Sequence, residues 1–297
     1  MKCDLCPRKC LVDRKKGEKG ICGQTENLKV ARAALHFWEE PCISGDAGSG
    51  AVFFSGCPLH CVFCQNENIA NGTVGKEISL ERLVDIFLEL QEKGANNINL
   101  VTPGHFVPQI VKALDQARKE GLTLPVVYNT SSYETVDTIK MLEGYVDIYL
   151  PDFKYMSPGL SKKYSHAPDY AEVAKAAIAE MVRQTGKAVF VNGDEDNLIL
   201  RGTIVRHLTL PGCMADSMQI LKYLHETYGD MIYISIMNQF TPLSNLEKYP
   251  ELNRRITDEE YETLVDYAIE IGIENGFIQE GDTAEESFIP AFDCEGV

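Results

Sequence analysis

At 297 residues, with 44% apolar residues and 9% aromatics, the chain can bury the core of one large α/β domain with a small appendage. Its formal net charge of −16 argues against a nucleic-acid backbone or an anionic membrane as main partner, since either would repel it at long range. No apolar run approaches the length of a membrane span, and the start, "MKCDLCPRKC", has no apolar core of a signal peptide, so a cytoplasmic location is expected.

Residues 1–45 read as a polar, cysteine-bearing segment, and the "ISGDAGSG" stretch (Ile43–Gly50) as a flexible connection. A second unit, 46–297, then alternates short apolar strands with amphipathic helices. "AVFF" (Ala51–Phe54) is the first strand, followed by a helix capped at Ser79 and stopped at Gly94. "NINLV" (Asn97–Val101) precedes a helix over about 107–120, and "PVVYN" (Pro125–Asn129) precedes a short one through Val136–Leu142. "VDIYL" (Val146–Leu150) is the fourth strand, with a longer helix at about Tyr170–Thr185 and a hairpin around Asn192-Gly193. "GTIVRHLTL" (Gly202–Leu210) and "IYISIM" (Ile232–Met237) are the fifth and sixth strands, separated by a helix at about Asp216–Tyr228. A last helix opens with a capping box at Thr257 and Glu260 and ends near Gly276. Six βα steps require a parallel sheet with helices outside it, as a doubly wound sheet or a partial barrel, with chemistry at the carboxyl ends of the strands.

Ten cysteines in a chain of this length point to metal or redox chemistry in a reducing compartment. Seven lie in two clusters, Cys3/Cys6/Cys10/Cys22 and Cys57/Cys61/Cys64; Cys42, Cys213 and Cys294 are isolated and read as small hydrophobes. The second cluster, "SGCPLHCVFCQN", is C-x3-C-x2-C in the loop after the first strand. Three thiolates can wrap three corners of a cubane and leave one iron open, whereas structural zinc would want a fourth ligand. The first cluster, C-x2-C-x3-C-x11-C, suits either zinc or an iron–sulfur cluster, with Arg14, Lys15, Lys16 and Lys19 offsetting thiolate charge.

Cys57, Cys61, Phe63 and Cys64 make the sequence resemble the radical S-adenosylmethionine (SAM) superfamily, whose signature is C-x3-C-x-aromatic-C after the first strand of a partial (β/α)6 barrel. "CVFCQN", "DIYLPDFKY" and "TIVRHLTLPGCMADS" resemble the pyruvate formate-lyase activating enzymes, and the upstream cysteines with "EEPCISG" and "VTPGHFVPQI" resemble their uncharacterised homologues. The resemblance implies a partial (β/α)6 barrel in which Cys57, Cys61 and Cys64 hold a [4Fe-4S] cluster and SAM chelates its open iron. It implies Phe63, Gln65 and Asn66 along the adenosyl moiety, and Asp152 and Lys154 at the methionine or ribose ends. Two positions depart from the pattern. Thr102-Pro103-Gly104 stands where the superfamily has Gly-Gly-Glu, so the methionine amine would be met by the Thr102 hydroxyl or by backbone carbonyls. Gln239 stands where activases have a histidine, and can hydrogen-bond the ribose or adenine but not titrate near neutrality.

The implied activity is generation of a 5′-deoxyadenosyl radical for hydrogen abstraction, with no side-chain acid–base pair required. The implied partners are a low-potential electron donor such as flavodoxin or ferredoxin, and a glycyl-radical enzyme or peptide substrate. Modification of a small metabolite is the alternative within this chemistry, and an iron–sulfur electron carrier the alternative outside it. His105 reads as a surface histidine, Tyr128, Tyr133 and Tyr149 as packing, and Arg206 and His207 as neighbours on opposite faces of the fifth strand.

Overall fold

In the computed structural model, residues 2–194, 197–242, 246–279 and 290–297 are described. The sequence begins with the thiol-bearing arm and then forms β1 (Lys29–His36), the short α1 (Pro41–Ser44) and β2 (Ser49–Phe54). After the cysteine loop come α2 (Glu67–Ala70), β3 (Lys76–Glu77), α3 (Leu80–Glu92), β4 (Ile98–Val101), α4 (Val107–Lys119), β5 (Val126–Thr130), α5 (Val136–Lys140) and β6 (Ile148–Pro151). The second half holds α6 (Pro158–Ser165), α7 (Tyr170–Thr185), β7 (Val189–Phe190), β8 (Ile199–Leu208), α8 (Met214–Tyr228), β9 (Tyr233–Met237), α9 (Asp258–Glu270) and β10 (Gly276–Ile278).

Strands β2, β4, β5, β6, β8 and β9 pair in that order and all in parallel. They are the six strands expected. β1 flanks one edge antiparallel and β10 the other in parallel. Each apolar run is buried on both faces because helices cover the outside, as a parallel sheet requires. On α3, Ser79 Oγ accepts from the Arg82 amide, and Leu83, Val84, Phe87 and Leu90 pack inward. α9 has its capping box at Thr257 and Glu260.

One side chain shows that the sheet curls. The Glu39 carboxylate accepts from Asn99 on β4, Asn129 on β5 and Arg206 on β8 at 2.9–3.1 Å. β4 and β8 are three strand spacings apart, roughly 14 Å on a flat sheet. A single carboxylate can bridge them only inside a barrel. The sheet order ends at β10 and β3 without joining them, so the barrel is partial.

Several local expectations change. "ISGDAGSG" is not a free connection: Ile43 and Ser44 end α1 and are buried, and β2 begins at Ser49, leaving a short turn between. Cys42 and Ile43 plug the barrel floor with Val127, Ile148, Ile204 and Tyr233, a long-range contact that composition does not reveal. The last helix stops at Glu270, and the chain then adds β10. The hairpin near Asn192-Gly193 is β7 against β8; its Glu195 and Asp196 lie outside the described residues. No helix among the described residues is long and apolar enough to cross a membrane.

Candidate functional site

The loop after β2 carries Cys57, Cys61 and Cys64 to the carboxyl end of the barrel. Gly56 at φ +92° makes the turn into it. An open cavity of ≈ 1120 Å³ lies beneath, somewhat larger than the roughly 300–1,000 Å³ typical of ligand pockets. Cys57, Cys61 and Cys64 all line it. So do Phe63, Gln65 and Asn66 from the loop, and Thr102, Asp152, Lys154 and Gln239 from the ends of three strands, β4, β6 and β9. All ten positions read from the barrel sequence therefore meet at one cavity.

Their contacts are specific. Phe63 packs edge-on against Phe240 and Tyr155. Gln65 Nε2 donates to the Gln239 carbonyl at 2.8 Å, tying the cysteine loop to the end of β9. Lys154 Nζ donates to Asp152 Oδ2 at 2.6 Å, and Arg206 Nε to Asp152 Oδ1 at 3.0 Å. Burial would raise the Asp152 carboxyl, but Lys154 and Arg206 outweigh it and hold the group below the usual range. Thr102 sits at φ +56°, a costly conformation for a β-branched residue, with its amide donating to the Asn129 carbonyl.

Burial holds the three thiols in their protonated form: Cys57 is pushed up to about 11 and Cys64 to about 12, with the neighbouring thiols adding to burial. Cys61 is raised by burial too, against Lys154 and the Ser165 hydroxyl, which favour its thiolate. Ser165 Oγ donates to Cys61 Sγ at 3.0 Å and lies 2.7 Å from Tyr155 Oη. Nothing in the sequence marked Ser165.

Arg206 was expected only to face one way and His207 the other. Arg206 faces the cavity, with Nη1 on Glu39 and Nη2 on Asn129 at 2.7 Å. His207 is buried outside, against the Phe153 carbonyl and Ser217 of α8, and burial lowers its pKa to about 4. Glu40 also lines the cavity, with Oε2 buried and unpartnered, and burial raises its pKa. His105 is not on the surface: it is buried, 2.7 Å from the Ser55 carbonyl, because the amino-terminal arm covers it.

A family model of the radical SAM superfamily matches residues 51–199, half of the chain. The chain belongs to the radical SAM superfamily. An uncharacterized protein of Methanocaldococcus jannaschii is 27% identical over 276 residues, covering 90% of this chain and 74% of that protein. In fold, the chain is similar to Streptococcus suis SuiB bound to the precursor peptide SuiA (TM-score 0.51, 12% identity, 76% of this chain and 47% of that one). It is similar to HydG, a maturase of the [FeFe]-hydrogenase (0.51, 15%, 78% and 52%), and to methylornithine synthase (0.51, 14%, 80% and 66%). The chain thus spans about half the length of the first two structures.

Members of the radical SAM superfamily use a [4Fe-4S] cluster and SAM. The donor set fits that group: three thiols on one loop, an open cavity beside them, and a carboxylate and an ammonium within it. Among the described residues no three Cys, His, Asp or Glu side chains close on a single point, as one ion would require. Thiolates on separate irons of a cubane stand further apart than the donors of one tetrahedral ion, so this spacing does not conflict with a cluster.

The amino-terminal cysteines form a separate set. The Cys6 thiol is raised to about 12 by burial, with Cys22, Cys10 and Cys3 adding to it. A Cβ on Gly20 would lie 3.1 Å from Cys10 Sγ and 3.5 Å from Cys22 Sγ, so the two thiols bracket that glycine. A Cβ on Gly56 would strike the Cys22 carbonyl and come within 2.6 Å of Gln24. Gly56→Ala is therefore expected to lose about 1–3 kcal/mol, from positive φ and this collision together. A urea-denaturation midpoint equal to wild type would contradict it.

Proposed function

We propose that this chain is a radical SAM enzyme that installs a glycyl radical on a partner protein, in the manner of the pyruvate formate-lyase activating enzymes. The observation carrying the reading is the single cavity shared by the three-thiol loop, the Asp152–Lys154 pair and Gln239. The finer assignment draws on "CVFCQN" and "DIYLPDFKY".

When bound and reduced, the cluster with SAM supplies a 5′-deoxyadenosyl radical. The chain's own residues do the rest. Cys57, Cys61 and Cys64 would hold the cluster, Lys154 would offer an ammonium to the SAM carboxylate, and Asp152 and Thr102 would offer acceptors to its amine. Phe63, Asn66, Gln65 and Gln239 bound the adenosine end. The exposed Phe37 and Trp38 at the rim of the cavity suit an extended peptide segment better than a small metabolite. Cys3, Cys6, Cys10 and Cys22 form a second metal site. A low-potential donor such as flavodoxin or ferredoxin supplies the electron, in a cytoplasmic setting that keeps the thiols reduced.

Anaerobically reconstituted protein, reduced with dithionite, is expected to convert SAM to 5′-deoxyadenosine. Adding a glycyl-radical enzyme as partner should produce the doublet resonance of a glycyl radical. SAM cleavage without a protein radical would move the assignment to peptide or metabolite modification. No cleavage by fully loaded protein would reject the radical SAM reading of the site.

A further inference from the structure

The two cysteine sets touch. The Cys22 carbonyl packs on Gly56, the residue before Cys57. His60 Nε2, inside the loop, lies 2.7 Å from the carbonyl of Ile21. Arg8, between Cys6 and Cys10, donates from Nε to the Pro58 carbonyl at 2.9 Å and from Nη2 to the Ser165 carbonyl at 2.9 Å. The Ser165 hydroxyl in turn donates to Cys61. Short polar and backbone bridges therefore join one thiol set to the other, and electron tunnelling falls steeply with such distances.

The charge of this arm opposes that of the whole. Its first 22 residues hold seven Lys and Arg against three Asp and Glu, in a chain of net charge −16. Lys9, Lys15, Lys16 and Lys19 are exposed, and Leu11 and Ile21 are about half exposed among them. Exposed apolar side chains in a lysine-rich segment suit an acidic protein surface. No described residue of the arm is among those that line the cavity, whose lining begins at His36.

We propose that Cys3, Cys6, Cys10 and Cys22 hold an iron–sulfur cluster through which electrons reach the Cys57/Cys61/Cys64 centre, delivered by an acidic, low-potential one-electron carrier protein docked on the lysine face. The inference rests on the reading of both thiol sets as metal centres. In each transfer the carrier loses one electron, the amino-terminal cluster takes it up and passes it on, and no proton or bond changes hands. Zinc at the same thiolates would hold the arm in place but has no second redox state to carry an electron.

The test uses the full-length, anaerobically reconstituted protein. Metal analysis is expected to find about eight irons per chain, two cubanes, and no zinc. Reduced flavodoxin, an acidic carrier, is mixed with wild type and with K15E/K16E/K19E at low ionic strength, and its oxidation is followed by stopped-flow absorbance. The variant is expected to oxidise flavodoxin at least about tenfold more slowly, with the difference vanishing in high salt. Dithionite should bleach the iron–sulfur absorbance of both proteins equally. A Cys6→Ser variant with the wild-type circular dichroism spectrum should be reduced by dithionite but only slowly by flavodoxin. One zinc with about four irons, or equal flavodoxin rates in wild type and lysine variant, would overturn the proposal. None of these readouts needs SAM cleavage, so a chain that passes them yet cleaves no SAM would reject the proposed function and leave this route standing.

Discussion

Cys61→Ala is expected to bring SAM cleavage to background and to remove the iron–sulfur absorbance of the loop centre, while the amino-terminal centre remains. A cubane held by two thiolates loses a corner, and the loop supplies no replacement, because Cys42 is packed in the barrel floor with Ile43 and Val127. The burial that pushes these thiols up also means that loading must displace a proton from each of the three as it becomes a thiolate ligand. Ser165→Ala is the informative companion. It deletes the hydroxyl donor to Cys61 Sγ without touching a ligand, so the iron content should hold. The midpoint potential of the loop centre should fall by roughly 40 mV, the equivalent of about 1 kcal/mol for one hydrogen bond. Cleavage by a Cys61→Ala protein that lacks the loop centre would remove the basis for the proposed chemistry.

Arg206→Met is expected to cost about 3–5 kcal/mol of stability, the range for breaking a buried ion pair by removing one partner. The guanidinium answers two carboxylates, Glu39 at 2.9 Å and Asp152 at 3.0 Å, with all three side chains 15% exposed or less. Removing it leaves Glu39 without its cation and Asp152 with Lys154 alone, in a barrel where Glu40 adds a third carboxyl with an unpartnered oxygen. Asp152 would then lose one of the two cations that outweigh its burial, and its pKa should rise. The sign follows from linkage: a depressed carboxylate stabilises the fold above its unfolded pKa and loses that contribution as pH falls through the folded value. The variant should therefore lose less stability than wild type on acidification. Adding Glu39→Gln to Arg206→Met should recover part of the loss, since one stranded charge is then gone. Urea denaturation of the three proteins decides it, and a single variant within about 0.5 kcal/mol of wild type would show that the network is not structural.

Much of the site was legible because its logic is local. Cys57, Cys61 and Cys64 lie within eight positions, and Phe63, Gln65 and Asn66 lie among or beside them. Thr102, Asp152, Lys154 and Gln239 each follow an apolar run, and parallel strands bring their carboxyl ends to one rim whatever the exact register. The same reasoning placed Arg206 and His207 on opposite faces of β8, since strand side chains alternate.

Other features had no local signal. Periodicity gave strands and helices but could not choose between a flat doubly wound sheet and a partial barrel, because both use the same βα step. The contact that decides it joins Glu39 to Arg206, 167 residues apart. The Ser165 bond to Cys61 spans 104 residues and begins in α6, a helix whose short sequence carried no clear period. His105 read as surface because nothing near it in sequence announces that Arg14 and the arm will cover it.

The sequence by itself determined the three-thiol loop, the rim on which its partners stand and the likeness that the family match bears out, because residue spacing and strand alternation are properties of the chain alone. Tertiary structure decided that the sheet closes far enough to bury Arg206 between Glu39 and Asp152, and that the basic amino-terminal arm lies against the loop. Both depend on side chains meeting across the barrel, and no spacing along the chain encodes that distance.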